Sequence, residues 1–380
     1  MNETVNDRNA TMNDRFYRGA DLSTLEEVER CGGRFFDDGR EDDAMRILRR
    51  HGVNLVRLRL WNDPYGPNGE PYGAGTCSLP RVVRLARRAR ALGMDVMLSF
   101  HYSDFWADPG KQLIPRAWRR LDADALADAV YAYTASVLET FAANGVTPRL
   151  AAPGNELTNG LLWPHGQTPR FDRIARYVSA GLAAIRAHDS TIQTVLHLDN
   201  GGSAALYRDW FDRYFACGGA DFDVIGMSYY PFWHGTMDML RENMAVVSGR
   251  YDRDVLIVET SMGFTLRDYA SCEALPPDRR KGPAATERLA ASVAWPMTPA
   301  GQARFLRELT ASVRQVPGGR GRGVVWWEPA WLPVPGSGWA NEAALPYIGD
   351  PGPGGNEWAN QTLFDYKGNV LPALRRWKDM

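Results

Sequence analysis

The chain has 380 residues, 44% of them hydrophobic, with 44 basic and 45 acidic side chains and a formal net charge of -1. This balance leaves no basic footprint for nucleic acid and no bias towards an anionic membrane surface, and no run approaches the roughly 18 apolar residues of a membrane span. Cys31, Cys77, Cys217 and Cys272 stand far apart with no C-x-x-C spacing, which argues against a zinc site, a redox dithiol or a disulfide framework.

Residues 1–15 are polar and contain no apolar leader core, so a flexible N-terminal segment is expected. On the same ground a cytoplasmic monomer is expected, or an extracellular one if a leader has been removed. Phe16–Asp21 reads as a first strand. Val53–Trp61 follows, then a helical pattern from Leu79 that stops at Gly93. Asp95–Tyr102 precedes a long helix from about Asp122 to Gly145. Further strand patterns lie at Arg149–Glu156, Gln193–Gly201, Phe222–Trp233, Val255–Met262 and Gly323–Trp331. Strands that alternate with helices imply parallel pairing, and eight such units predict a single (β/α)8 TIM barrel, here over residues 16–380. No G-x-G-x-x-G follows any strand, which counts against a dinucleotide fold or a nicotinamide-dependent reductase. Pro153 removes a ladder donor from the fourth run, so a bulge or strand end is expected just before Glu156. Two long irregular segments, 263–299 and 332–362, follow strands seven and eight and belong on the barrel face where active sites are built.

Strand parity sorts inward from outward side chains. Val56, Leu58 and Leu60 are expected to face the helices, leaving Leu55, Arg57, Arg59 and Trp61 inward. Ser99 and His101 on the third strand, and Gly226, Ser228 and Tyr230 on the sixth, also point inward. Burying such polar groups is costly unless they pair or bind something. Carboxylates at strand ends are few: Asp21, Glu156, Asp199, Glu259 and Glu328. Glu156 and Glu259 come from strands four and seven, across the barrel mouth from each other. Each alone reads equally well as half of a structural ion pair, but two carboxylates facing across a cleft suit glycoside hydrolysis. That chemistry needs one carboxyl group protonated and the other ionised, with Arg57 and Tyr230 as partners for the ionised one. Thirteen tryptophans fit either a sugar-stacking groove or simply a large core. His101 reads as a sugar contact or a satisfied core histidine, and Asn155 as a hydroxyl contact or a turn residue. The six histidines show neither H-E-x-x-H nor H-x-x-E-H spacing, and no G-x-S-x-G is present, so neither a catalytic metal nor a serine nucleophile is expected.

The stretches RLRLWNDP, FHYSDFWADPGKQ, GNELTNGLLWPHG, HLDNG, IGMSYYPFW, VETS and WWEPAW, in order between Phe16 and Trp377, together resemble glycoside hydrolase family 53, the endo-β-1,4-galactanases of clan A. The resemblance implies a retaining double displacement on β-1,4-galactan, as in type I arabinogalactan and pectin side chains. It implies Glu156 as acid/base and Glu259 as nucleophile. Asn155 would contact the sugar 2-hydroxyl, Arg57 and Tyr230 would flank the nucleophile, and His101, Asp104, Trp106 and Trp327 would line the sugar subsites. Bacterial members often bind calcium after strand seven. Here that stretch, Arg267–Pro283, is basic and proline-containing without alternating Asp/Asn ligands, so no cofactor is expected and calcium is doubtful. An exo-acting or oligosaccharide-trimming relative, and a non-catalytic galactan-binding barrel, are the competing readings.

Overall fold

A computed structural model describes residues 15–270 and 279–380. The expectation of a flexible residue 1–15 segment falls almost wholly outside the described residues, as does part of the stretch bearing on calcium. Eight parallel strands close into a barrel: β1 (Tyr17–Asp21), β2 (Leu55–Leu60), β3 (Asp95–Phe100), β4 (Leu150–Pro153), β5 (Gln193–Leu198), β6 (Val224–Ser228), β7 (Asp254–Thr260) and β8 (Gly321–Trp326). Each pairs with its sequence neighbours, and β1 pairs with both β2 and β8 to complete the ring. Helices lie between successive strands, including Leu79–Ala91, which ends just before Gly93 at φ 71°, and Ala123–Ala143, capped by the Asp122 carboxylate. Among the described residues no helix is long and apolar enough to cross a membrane.

The period-two pattern decides what fills the barrel. Tyr17, Leu55, Met97, Leu150, Val195, Val224, Leu256 and Val325 pack together inside, whereas Val56, Leu58, Leu60, Val96, Leu98, Ile225 and Met227 join the core between strands and helices. At Gly226 a Cβ atom would lie 2.8 Å from Val195 Cγ1, so the interior tolerates nothing larger there. Trp61 lies one residue past β2 and packs on Phe105 and Trp106 above the barrel rather than in its apolar interior.

Strand β4 ends at Pro153, where its missing N–H is harmless. The chain then turns through Gly154 at φ 107° and Glu156 at φ 47°. Tyr102, Asn200 and Glu328, beyond the ends of β3, β5 and β8, are left-handed as well. For non-glycine residues this conformation costs about 1–2 kcal/mol each, and such residues concentrate at functional sites.

The two long loops form one wall. Lys281 and Ala284 donate backbone N–H groups to Gly354 and Glu357, both at 2.7 Å, and the buried Asn360 amide donates to Thr265 and Ala285 carbonyls at 3.0 and 2.9 Å. Arg280 stacks 4.2 Å over Tyr269 and pairs with Asp268 at 2.6 Å. In this way segments with little regular structure are fixed above the C-terminal ends of the strands.

Candidate active site

Above the apolar plug, the next inward layer of the strands is charged. Arg57 on β2 is fully buried, and its guanidinium joins three strands. One nitrogen donates to Asp21 at 2.6 Å. The other donates to Glu259 and to the Asn155 side-chain oxygen, both at 2.7 Å. Arg59, two residues on and on the same face, pairs with Asp21 at 3.1 Å and with Glu328 at 2.6 Å. Glu328 also accepts from the Thr24 N–H at 3.2 Å. Burial works against a charge on Asp21, but Arg59 and Arg57 together outweigh it and hold the carboxyl below its ordinary range. Asp21 is therefore an anion shared by two arginines, and it aims one of them at Glu259.

The second Glu259 oxygen accepts from the Tyr230 hydroxyl at 3.0 Å. Among the described residues no cation pairs with Glu156. Its Oε1 lies 2.6 Å from Ser228 Oγ, which is itself 2.8 Å from His197 Nε2. His197 is wholly buried, and burial followed by the Arg57 charge keeps it neutral. The Asn155 amide donates to the Ala107 carbonyl at 2.9 Å, so its oxygen is the atom 3.1 Å from His197 Nδ1. The Glu156 N–H also points at Nδ1, at 3.4 Å, but the shorter contact to the Asn155 oxygen favours a protonated Nδ1. Nε2 is then a lone pair turned towards Ser228.

These surroundings make the two glutamates unequal. Burial raises both. Glu156 is pushed well above the ordinary carboxyl range by burial and then by the Glu259 and Asp199 charges, with only Ser228 opposing. Glu259 is raised by burial too, but Arg57 and Tyr230 pull it back towards ionisation. Since the two titrate as a pair, the proton they share resides on Glu156.

A cleft of about 290 Å³ opens over this layer, lined by Arg59, His101, Trp106, Asn155, Glu156, Tyr230, Glu259 and Trp327 among others. The His101 Nδ1 accepts from the Trp61 indole at 3.2 Å, which puts the ring proton on Nε2. That buried Nε2 has no partner among the described residues, and His101 lines the cleft. The Arg59 guanidinium lies 4.8 Å from the Trp106 ring and 5.2 Å from the Trp327 ring, so the charged layer also props the aromatic wall.

Asp104 is not brought to the cleft. It is 1% exposed, and its two oxygens accept from the Asp63 N–H at 3.2 Å and the Arg116 N–H at 2.8 Å. The family resemblance implied otherwise, but the chain turns it into the loops behind His101 and Trp106. The cleft also contains residues that motif reading passed over: Asp108 and Lys111 after β3, and Lys281, Trp339, Glu357 and Trp358 from the two long loops. Trp358 packs edge-on to Trp327 at 4.6 Å and to Tyr230 at 5.6 Å. The abundance of tryptophan pointed to such a wall without saying which rings form it.

Residues 17–377 match the model of a family described as "Glycosyl hydrolase family 53". A Bacillus subtilis (strain 168) protein described as "Endo-beta-1,4-galactanase" is 34% identical over 352 residues, covering 88% of this chain and 78% of that protein. An Aspergillus terreus (strain NIH 2624 / FGSC A1156) protein described as "Probable arabinogalactan endo-beta-1,4-galactanase A" is 38% identical over 331 residues, 85% of this chain and 88% of its own length. The solved structure of the Ignisphaera aggregans GH53 catalytic domain is similar with a TM-score of 0.86 at 37% identity, covering 96% of each chain.

Proposed function

The chain belongs to glycosyl hydrolase family 53, and from that premise we propose that it is a retaining endo-β-1,4-galactanase acting on β-1,4-galactan through a covalent galactosyl-enzyme. The observation that carries the reading is the division of labour between two buried glutamates. One is paired with a guanidinium and a phenol, and the other forms no ion pair among the described residues. Glu259, ionised, attacks the anomeric carbon while Glu156 delivers its proton to the departing glycosidic oxygen. The C–O bond to the leaving sugar breaks as the C–O bond to Glu259 forms. Glu156, now a carboxylate, takes a proton from water, and the resulting hydroxide oxygen displaces Glu259 from the anomeric carbon.

The remaining cleft groups suit a sugar. Asn155 is fixed next to Glu156 by Arg57 and Ala107, where it can engage the 2-hydroxyl. The unpartnered His101 N–H offers a donor to another hydroxyl, and Trp106 and Trp327 supply flat apolar surface for the C–H face of a galactosyl ring. Asp104 acts at one remove, by holding the loops behind Trp106.

Proton NMR of fresh galactan hydrolysate tests the mechanism: new reducing ends are expected as the β-anomer first. Initial α-anomer would refute it.

A further inference from the structure

Trp233 is 49% exposed, while the other twelve tryptophans are buried or half-buried. It follows β6 on the face that carries Glu156 and Glu259, and its setting is well defined. Its N–H donates to the Tyr230 carbonyl at 3.0 Å, as does that of His234 at 2.9 Å. Its ring packs 5.8 Å from Tyr230, 6.5 Å from Trp358 and 5.5 Å from Phe232. An aromatic path thus leads from Trp106 and Trp327 in the cleft, through Trp358, to Trp233 at the surface. Beyond Trp233 lies a separate hollow of about 450 Å³ between the loop after β6 and residues 292–295. It is lined by Phe232, Met237, Val293 and Trp295 together with the polar Thr236, Asp238 and Ser292. Trp295 is held there by an indole hydrogen bond to Glu308 at 2.8 Å and by edge contact with Phe305 at 5.1 Å.

We propose that the galactan groove continues over the exposed indole of Trp233 into this hollow, which serves as a distal subsite for sugar units remote from the bond being cut. The inference rests on the galactanase reading and gives it an extent. A pyranose is apolar on its C–H faces and polar around its edge, and this hollow likewise combines apolar side chains with the polar Thr236, Asp238 and Ser292. Continuity with the catalytic cleft through the tryptophans singles out the substrate's own chain as occupant. An indole that covers roughly 60 Å² of a sugar face corresponds to about tenfold in binding.

The test compares kcat/KM on polymeric β-1,4-galactan with kcat/KM on an aryl β-1,4-galactobioside, too short to reach the hollow. The parent enzyme is compared with Trp233→Ala and with Ala294→Arg, which obstructs the hollow from its far wall without touching Tyr230. The polymer-to-short-substrate ratio is expected to fall about tenfold in both variants. A ratio unchanged in Ala294→Arg overturns the proposal, even where Trp233→Ala lowers both rates together through Tyr230. A parent enzyme inactive on galactan would instead refute the galactanase reading itself, and the distal subsite with it.

Discussion

Removing the Ser228 hydroxyl should move the alkaline limb of the pH–rate profile upwards. With Glu156 protonated, Ser228 directs its own proton to the His197 Nε2 lone pair at 2.8 Å and accepts from the acid at 2.6 Å. Once Glu156 has lost its proton, the hydroxyl rotates and donates to the carboxylate. The first bond is neutral, worth about 1 kcal/mol, and the second is charge-assisted, worth about 2 kcal/mol. Ser228 therefore favours the ionised form by about 1 kcal/mol, and Ser228→Ala should raise the Glu156 pKa further by roughly one unit. In the proposed mechanism activity requires Glu156 protonated and Glu259 ionised, so the alkaline limb follows Glu156. The assay is kcat/KM against pH on soluble galactan, with the acid limb as internal control because the Ser228 hydroxyl bonds Glu156 and His197 whereas the Glu259 carboxylate bonds Arg57 and Tyr230. An alkaline limb that stays put or moves down would refute the hydrogen-bond assignment.

Three further outcomes follow from the same geometry. Glu259→Ala should abolish turnover while oligosaccharide binding by calorimetry persists; an unaltered rate would remove it as nucleophile. Asp21→Asn should destabilise the fold by about 3 kcal/mol or more, since Arg57 and Arg59 lose their shared buried anion; an unchanged denaturant midpoint would contradict this. Glu27 is buried under the loop after β2, and burial raises its pKa from the ordinary 4.5 to about 7. Its neutral form supports the fold fully below pH 4.5, and that support is lost as pH rises through 7, by about 3 kcal/mol at the limit. Glu27→Gln should therefore melt higher than the parent at pH 8 and level with it at pH 4; equal melting at both would count against the burial argument.

Most of the barrel was legible because its strands are short β-branched runs and parity has only two outcomes. Arg57, His101, Ser228 and Tyr230 were placed inward on that ground alone, and the structure puts all four in the charged layer or on the cleft wall. The pairings within that layer were less accessible. Ser228 meets Glu156 across 72 residues of sequence, and Asp21 reaches Arg57 across 36, so no local pattern encodes either contact. Trp339 and Trp358 lie in loops without periodicity, where position depends on backbone bonds between Lys281, Ala284, Gly354 and Glu357. Asp104 was expected at the cleft from the family resemblance, and a shared motif does not by itself fix which way a loop residue turns.

The left-handed backbone at Glu156 and Glu328 bears on how this protein would respond to engineering. A glycine or asparagine at 156 would adopt the same turn with less strain, and glycine would also remove a carboxyl group that desolvation disfavours. Selection for heat resistance alone would thus reward discarding the very side chain proposed to handle the proton. Directed evolution of this barrel needs a turnover screen in every round, because endurance and chemistry pull position 156 in opposite directions.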